Sequence, residues 1–422
     1  MGSSEYLWAP GETPPTIQDH SLAKHQVLAR YLRVYIEVLT ANVAMDSFRI
    51  ALVDGFAGGG VYQTIRGDLH HGSPLQMLHA MVDAEIDANE RRNKHFHLDV
   101  NFFFVERSPR NIEVLKKTLE HHAAAQRYLR EERLHILQGT FESYTKTIAQ
   151  KIAGRSSKSR AIFLLDQYGY SHVPLRSLRT ILKKLPKAEI LLTFATDWLI
   201  DYLSNKGSLT PERLRELGLS GFANHFDQLL SLKDQRDPQW RRFVQAVLHR
   251  DLVEKSGAKF FTPFFIVSPR AHREYWFVHL SNHARARDEM AKLHWAIENR
   301  FAHYGRHGLG MLGYDPRHDN QVTQQQGFDF SPDAGVSLKE RLMEEIPSRL
   351  AYDKIPFDRF FDGICNETPA TSTQIAETLR ALTREQIVEV YSPHGKLRRP
   401  NVQIQADDQI KLRSQLRLDL GR

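Results

Sequence analysis

A chain of 422 residues, 41% hydrophobic and 25% charged, has enough apolar content for one large core and a smaller second one. No apolar run approaches the ~20 residues of a membrane span, and Met1-Gly2-Ser3-Ser4-Glu5 is not a basic segment leading into an apolar one, so neither a membrane anchor nor a signal peptide is expected. The formal charge of +7 biases the surface toward phosphate, and the lone Cys365 excludes an internal disulfide or a cysteine-rich metal site, which points to a reducing, cytoplasmic compartment.

Residues 19–45 read as a helix, because Leu28, Tyr31, Leu32, Tyr35, Ile36 and Leu39 recur at helical spacing. A strand over Arg49–Asp54 then runs into glycines. Further apolar runs follow at 101–106, 134–138, 161–166 and 189–194. Several barely alternate, which suits strands buried on both faces of a parallel sheet. Helical patterns at 110–121 and 173–185 lie between them, so the class is a doubly wound α/β sheet. Residues 198–256 read as a charged helical insertion. Two strands at 260–267 and 274–280 are joined by a short turn, and short turns join antiparallel strands. Five parallel strands followed by a hairpin is the seven-strand order of a class I methyltransferase, a Rossmann-like sheet. Residues 303–335 read as a linker, giving one domain over 1–335 and a second over 336–422. In the second, 371–382 reads as a capped amphipathic helix and 383–391 as another helix running into a strand. A basic turn at 392–400 follows. The order predicts a winged helix-turn-helix with Lys396, Arg398 and Arg399 on the wing, placed to meet DNA or RNA.

Three strand ends carry chemistry. After the first strand, Asp54-Gly55-Phe56-Ala57-Gly58-Gly59-Gly60 is a glycine-rich turn that lets a cofactor approach the backbone. Strand two ends in Glu106, placed to accept hydrogen bonds from the ribose hydroxyls of a nucleoside. A surface glutamate would look the same, but both signs occur in the right order on consecutive strands. Strand four ends in Asp166-Gln167-Tyr168-Gly169. An acidic residue there can accept a hydrogen bond from a target amine, and the aromatic can stack on a flipped base. Asp166 and Tyr168 fit those roles; a helix-capping aspartate and a tyrosine covering the sheet edge are the structural alternative. Methylation of cytosine carbon needs a cysteine nucleophile near this strand. Cys365 lies in the tail, so a nitrogen or oxygen acceptor is expected. The chain has 21 histidines, with pairs at His70-His71 and His121-His122. They lack metal-ligand spacing and read as surface, so no metal site is expected.

Lys24-His25 with Tyr31-Leu32, Asp54-Gly-Phe-Ala-Gly58 with Tyr62, Gly72-Ser-Pro74, Phe104-Val-Glu106, Asp166-Gln-Tyr-Gly169 and Ser281-Asn-His283 resemble the three-Cys-motif partner (TcmP) family over about residues 20–300. That family is named for its genomic association with a separate radical-SAM-like protein. The Lys24-His25 helix, the run from Asp54 to Tyr62 and Gly72-Ser-Pro74 also resemble, more distantly, a bacterial ribosomal-RNA adenine-N6 methyltransferase family. The resemblance implies S-adenosyl-L-methionine (SAM) as cofactor, contacts near Lys24, Asp54 and Ser73, ribose at Glu106, and Asp166 at the target amine. Gln167 departs from both families. Either Thr140 or Phe141 faces the adenine, and the sequence does not choose. The expected activity is a bacterial-type SAM-dependent methyltransferase acting on a nucleobase amine, adenine-N6 by preference. The alternative is a non-catalytic nucleic-acid adaptor for the three-Cys-motif partner, with a role in mobile-element defence.

Overall fold

The computed structural model describes residues 6–156, 159–167, 173–194, 210–234, 251–252, 254–268, 273–296 and 332–413. The described contacts divide the chain into two compact units, Met1–Leu293 and His294–Arg422.

Unit one is built from short apolar strands. They are β1 (Ser47–Asp54), β2 (Val61–Gln63), β3 (Leu69–His71), β4 (His97–Glu106), β5 (Leu134–Gln138), β6 (Arg160–Asp166), β7 (Lys187–Phe194), β8 (Phe260–Ser268) and β9 (Arg273–Ser281). Between them lie α1 (Asp19–Leu39), α2 (Ser73–Glu90), α3 (Pro109–Glu120), α4 (Ala123–Arg130), α5 (Phe141–Arg155) and α6 (Leu175–Lys184). Seven strands form one sheet in the order β5-β4-β1-β6-β7-β9-β8. β1, β4, β5, β6 and β7 pair in parallel, whereas β9 is antiparallel to both β7 and β8. That is the class I methyltransferase topology expected from the terminal hairpin.

The missing alternation in the strands has a direct cause. Ala51, Val53, Phe103, Val105, Phe163 and Leu165 pack with Phe141, Ile148 and Ile152 of α5 and Leu178 and Ile181 of α6. Their neighbours Ile50, Leu52, Phe102, Phe104, Ile162 and Leu164 are equally buried. Successive side chains point to opposite faces, so a sheet covered twice needs apolar residues at every position. α1 anchors its own side by a buried polar contact. Tyr31 donates to Glu189 of β7, which His279 of β9 also contacts at 2.9 Å. The helix ends at Leu39, six residues short of the predicted 45, because Thr40 caps it by donating to the Ile36 carbonyl. The hairpin β2–β3, which pairs antiparallel between the glycine turn and α2, carries no periodic pattern and was not expected. The charged segment after β7 is helical where described, at α7 (Pro211–Leu217), α8 (Ser220–Asn224) and α9 (Phe226–Asp234). The element after β9 is α10 (Ala284–Ala296).

Unit two contains α11 (Pro332–Arg349), β10 (Ile355–Pro356), α12 (Phe357–Ile364), α13 (Ser372–Arg384), β11 (Val388–Tyr391) and β12 (Gln409–Leu412), with an antiparallel sheet β10-β12-β11. Two expectations are corrected. The predicted linker at 303–335 lies outside the described residues up to 331, and 332–335 already belong to α11. The second predicted helix at 383–391 does not form. Gln386 takes a positive φ of 61°, and β-branched Val388 and Val390 then enter a strand. The helix that packs against α13 precedes it instead, at α11. Thr371 and Gln374 cap α13 reciprocally, as the sequence signature predicts. Among the described residues no helix is long and apolar enough to cross a membrane.

Candidate active site

β4, β1 and β6 are neighbours, and all three end at the same edge of the sheet in a carboxylate: Glu106, Asp54 and Asp166. The strand register therefore places side by side three like charges that lie far apart in sequence. Each is handled differently.

Asp54 is fully buried. Its Oδ1 accepts from the Phe56 N–H at 3.0 Å, and its Oδ2 has no hydrogen-bond partner. Burial pushes the carboxyl from 3.8 up to about 7. Ser73 and the Phe56 N–H oppose that rise, while Asp166 and Glu106 add to it by repulsion. An acid so placed is half ionised near neutral pH and is short of one cationic or N–H partner.

Glu106 is tied to the glycine turn. Its Oε2 accepts from Gly58 N–H at 3.0 Å, and its Oε1 accepts from Ser108 N–H at 2.8 Å and Asn111 Nδ2 at 3.3 Å. A carboxylate has about four acceptor positions, so one place on Oε2 remains for a hydroxyl.

Asp166 is held by Lys24, whose Nζ lies 2.5 and 2.7 Å from its two oxygens. Lys24 is buried on the face of α1 that also carries Ser21, His25 and Leu28, the i, i+3/i+4 set turned toward the sheet. Burial pushes Asp166 up, but the Lys24 charge, with Thr193 and His25, outweighs it and holds the carboxyl below the usual carboxylate range. His25 is driven down to about 3, first by burial and then by His70 and Lys24, and is neutral at physiological pH. Its Nδ1 lies 3.1 Å from His70 Nε2, with the rings stacked.

The glycine turn is filled by the protein itself. The Trp8 indole lies over it, 2.6 and 2.4 Å from where a Cβ on Gly58 or Gly59 would stand. Trp8 donates through Nε1 to the Val61 carbonyl at 2.6 Å and through its backbone N–H to Asn111 Oδ1 at 3.3 Å. Gly58 and Gly60 have φ of 58° and 85°, which favour glycine independently. Gly55 is pressed against Leu165 and Phe141, and Ala57 is buried. Tyr6, Trp8, Tyr62 and His25 form an aromatic group beside the turn, with ring centroids 5.1 to 6.1 Å apart.

Of the residues expected from sequence, Lys24 and Asp166 form one ion pair, while Asp54, Gly55, Phe56, Ala57, Gly58, Gly60 and Glu106 form one turn with its carboxylate. Ser73 opens α2 and bears on Asp54. Phe141 is committed to the core, whereas Thr140 is exposed as the cap of α5. Tyr168 lies outside the described residues. Gln167 is buried, and its Oε1 accepts from Val173 N–H at 3.1 Å, so its side chain braces the end of that loop. On the wing, Lys396 and Arg399 are exposed, while Arg398 is paired to buried Asp408 at 2.7 Å. Trp8 and Asn111 were missed. A tryptophan in an irregular segment and an asparagine in a first helical turn carry no periodic signal.

The sheet order and these strand ends define the fold class as class I methyltransferase-like. Residues 313–395 match the family of GMT-like winged helix-turn-helix domains. No curated protein sequence matches the chain. Solved structures with a similar fold include a protein of Legionella pneumophila (11% identity, 63% of this chain and 85% of that one, TM-score 0.35). They also include the spermidine synthase of Thermotoga maritima (9%, 77% and 75%, TM-score 0.30) and an O-methyltransferase of Bacillus cereus in complex with SAH (11%, 63% and 92%, TM-score 0.29). Likeness of this extent carries no inference about chemistry, which rests on the residues.

Proposed function

We propose that the chain is a SAM-dependent methyltransferase acting on a nucleobase amine of DNA or RNA, adenine-N6 by preference, with the winged-helix unit contributing nucleic-acid contacts. The observation that carries this reading is the buried, half-satisfied Asp54 between Glu106 and Asp166. An ammonium is the partner that such a carboxyl lacks. The free place on Glu106 suits a ribose hydroxyl, and exposed Thr140 stands at the strand end beside it. These residues fit a nucleoside bearing an amino-acid group, and SAM would supply an electrophilic methyl on its sulfonium.

Asp166 has a defined part in this proposal. A carboxylate held below its usual range is a poor base but a good acceptor. It aligns an amine by accepting its N–H bonds and so points the nitrogen lone pair along one axis. Lys24 takes two of its acceptor positions, holds it ionised and leaves the remainder for the substrate. Tyr168 is the proposed stacking partner for the base. On the wing, Lys396 and Arg399 are the proposed phosphate contacts, and Arg398 supports the wing through Asp408.

The second reading is the adaptor for a radical-SAM-like three-Cys-motif protein. It is favoured by Trp8 occupying the glycine turn and by Gln167 serving as a brace. Calorimetry with SAM, followed by transfer of a labelled methyl group to mixed DNA and RNA, separates the two. Binding and transfer, with transfer lost in Asp166→Ala, support the enzyme. Binding without transfer supports the adaptor, and no binding of SAM ends the enzyme reading.

A further inference from the structure

Three histidines far apart in sequence meet on the first unit. His71 ends β3, His79 lies on α2 and His122 precedes α4. One ring nitrogen from each falls within 4.8 Å of the others. His79 Nε2 and His122 Nε2 are 3.2 Å apart, and the ring centroids stand 4.8 to 5.4 Å from one another. We propose that His71, His79 and His122 bind a divalent transition metal of the zinc type, with water in the fourth position.

The geometry favours a cation over a chance meeting of rings. Two nitrogens bound tetrahedrally at 2.0–2.1 Å stand about 3.3 Å apart, close to the separation of His79 and His122. The third nitrogen lies within 4.8 Å of both. A shared proton can satisfy one nitrogen–nitrogen contact but not three converging lone pairs. All three side chains are half-buried, which leaves an open side for water and an entry path. Three imidazoles without thiolate suit zinc, copper, nickel or iron rather than calcium or magnesium.

The site is placed to brace the hairpin β2–β3. His71 is followed by Gly72, whose N–H donates to the Gly60 carbonyl at 2.8 Å, and then by Ser73. A metal would tie this connection to α2 and to the α3–α4 turn.

The test titrates Zn2+ alone into the metal-stripped full chain, and Co2+ alone as an optical reporter. Expected are one equivalent bound, a tetrahedral Co2+ spectrum, and a rise in Tm on the order of 5 °C at saturating Zn2+. His122→Gln and His79→Ala should each weaken binding at least tenfold and abolish the Tm rise, with an unchanged far-ultraviolet spectrum in the absence of metal. His121→Ala, one position away and exposed, should leave binding intact. Failure to bind Zn2+ or Co2+ saturably overturns the proposal. So does binding unaffected by His122→Gln, which would place the metal elsewhere among the histidines.

Discussion

Replacing Asp54 with asparagine separates the stability of the first unit from its capacity to hold a cation. Burial lifts the Asp54 carboxyl from 3.8 to about 7, against the pull of Ser73 and the Phe56 N–H. A folded-state value above the unfolded one means that the native chain binds the proton more tightly. The stability this gives is full below about pH 4 and is lost as pH rises to about 7. The whole displacement corresponds to about 4 kcal/mol, of which about 2 kcal/mol falls between about pH 5.5 and pH 8. Asp54→Asn keeps an oxygen for the Phe56 N–H and cannot ionise. Any cost of its buried amide is the same at both pH values and cancels. Urea unfolding of both chains at both values is the assay, followed by fluorescence of the first unit. Wild type should lose about 2 kcal/mol relative to the variant on going to the higher pH. Parallel pH responses would show that Asp54 is not protonated in the folded chain, and the reasoning from burial would fail. Under the proposed function the same substitution weakens SAM binding, and wild-type affinity falls about tenfold per pH unit below about pH 7.

Lys24→Met removes one partner of a buried pair and should destabilise the first unit by about 3 kcal/mol, with most of the loss restored in Lys24→Met/Asp166→Asn; thermal melts of the two variants beside the wild type test it. Gly59→Ala puts a Cβ 2.4 Å from the Trp8 ring and should cost about 1–3 kcal/mol by overpacking. That cost should shrink by more than half in a Trp8→Ala background, and strict additivity would place Trp8 elsewhere. Thr371→Ala removes the cap of α13 and should cost the second unit about 1 kcal/mol. For the wing, Lys396→Ala with Arg399→Ala should weaken DNA or RNA binding and reduce its salt dependence without lowering Tm, whereas Arg398→Ala should lower Tm by leaving buried Asp408 without its cation; fluorescence anisotropy at several salt concentrations reads the first effect.

Much of the sheet was legible because a doubly covered sheet writes itself as unbroken apolar runs. Leu52 and Val53 face opposite sides yet are both fully buried, as a sheet covered on both faces requires. The terminal hairpin was legible because its turn was too short for a crossover. The three strand-end carboxylates could be found for the same reason, since the end of an apolar run is a visible position. What was not legible depended on contacts between distant segments. The side chain that fills the glycine turn comes from Trp8, some fifty residues upstream, and no local pattern announces it. The three histidines, read as surface, were hidden by spacing, because β3, α2 and the α3–α4 turn bring positions 71, 79 and 122 together without a recognisable repeat. The tail helix was misplaced because residues 383–391 keep an apolar rhythm that suits either period, and the positive φ of Gln386 decided it.

The site also shows where the sequence departs from what stability alone would select. A lysine on the buried face of α1 and an aspartate at zero exposure on β1 are both costly choices, and apolar residues of similar size would pack there. Lys24 is offset by Asp166, so that pair closes on itself. Asp54 is not offset: the charges that bear on it, Asp166 and Glu106, are of its own sign. Pairing Asp54 with a permanent lysine would have removed the strain, and the buried Lys24 is instead paired with Asp166. A fold that keeps one carboxyl raised to about 7, beside a turn built for close approach, is least stable above that value when nothing binds and gains most when a cation arrives. Ligand-induced stabilisation by SAM should therefore be larger at about pH 8 than at about pH 6, and a Tm gain independent of pH would break the link between Asp54 and the cofactor.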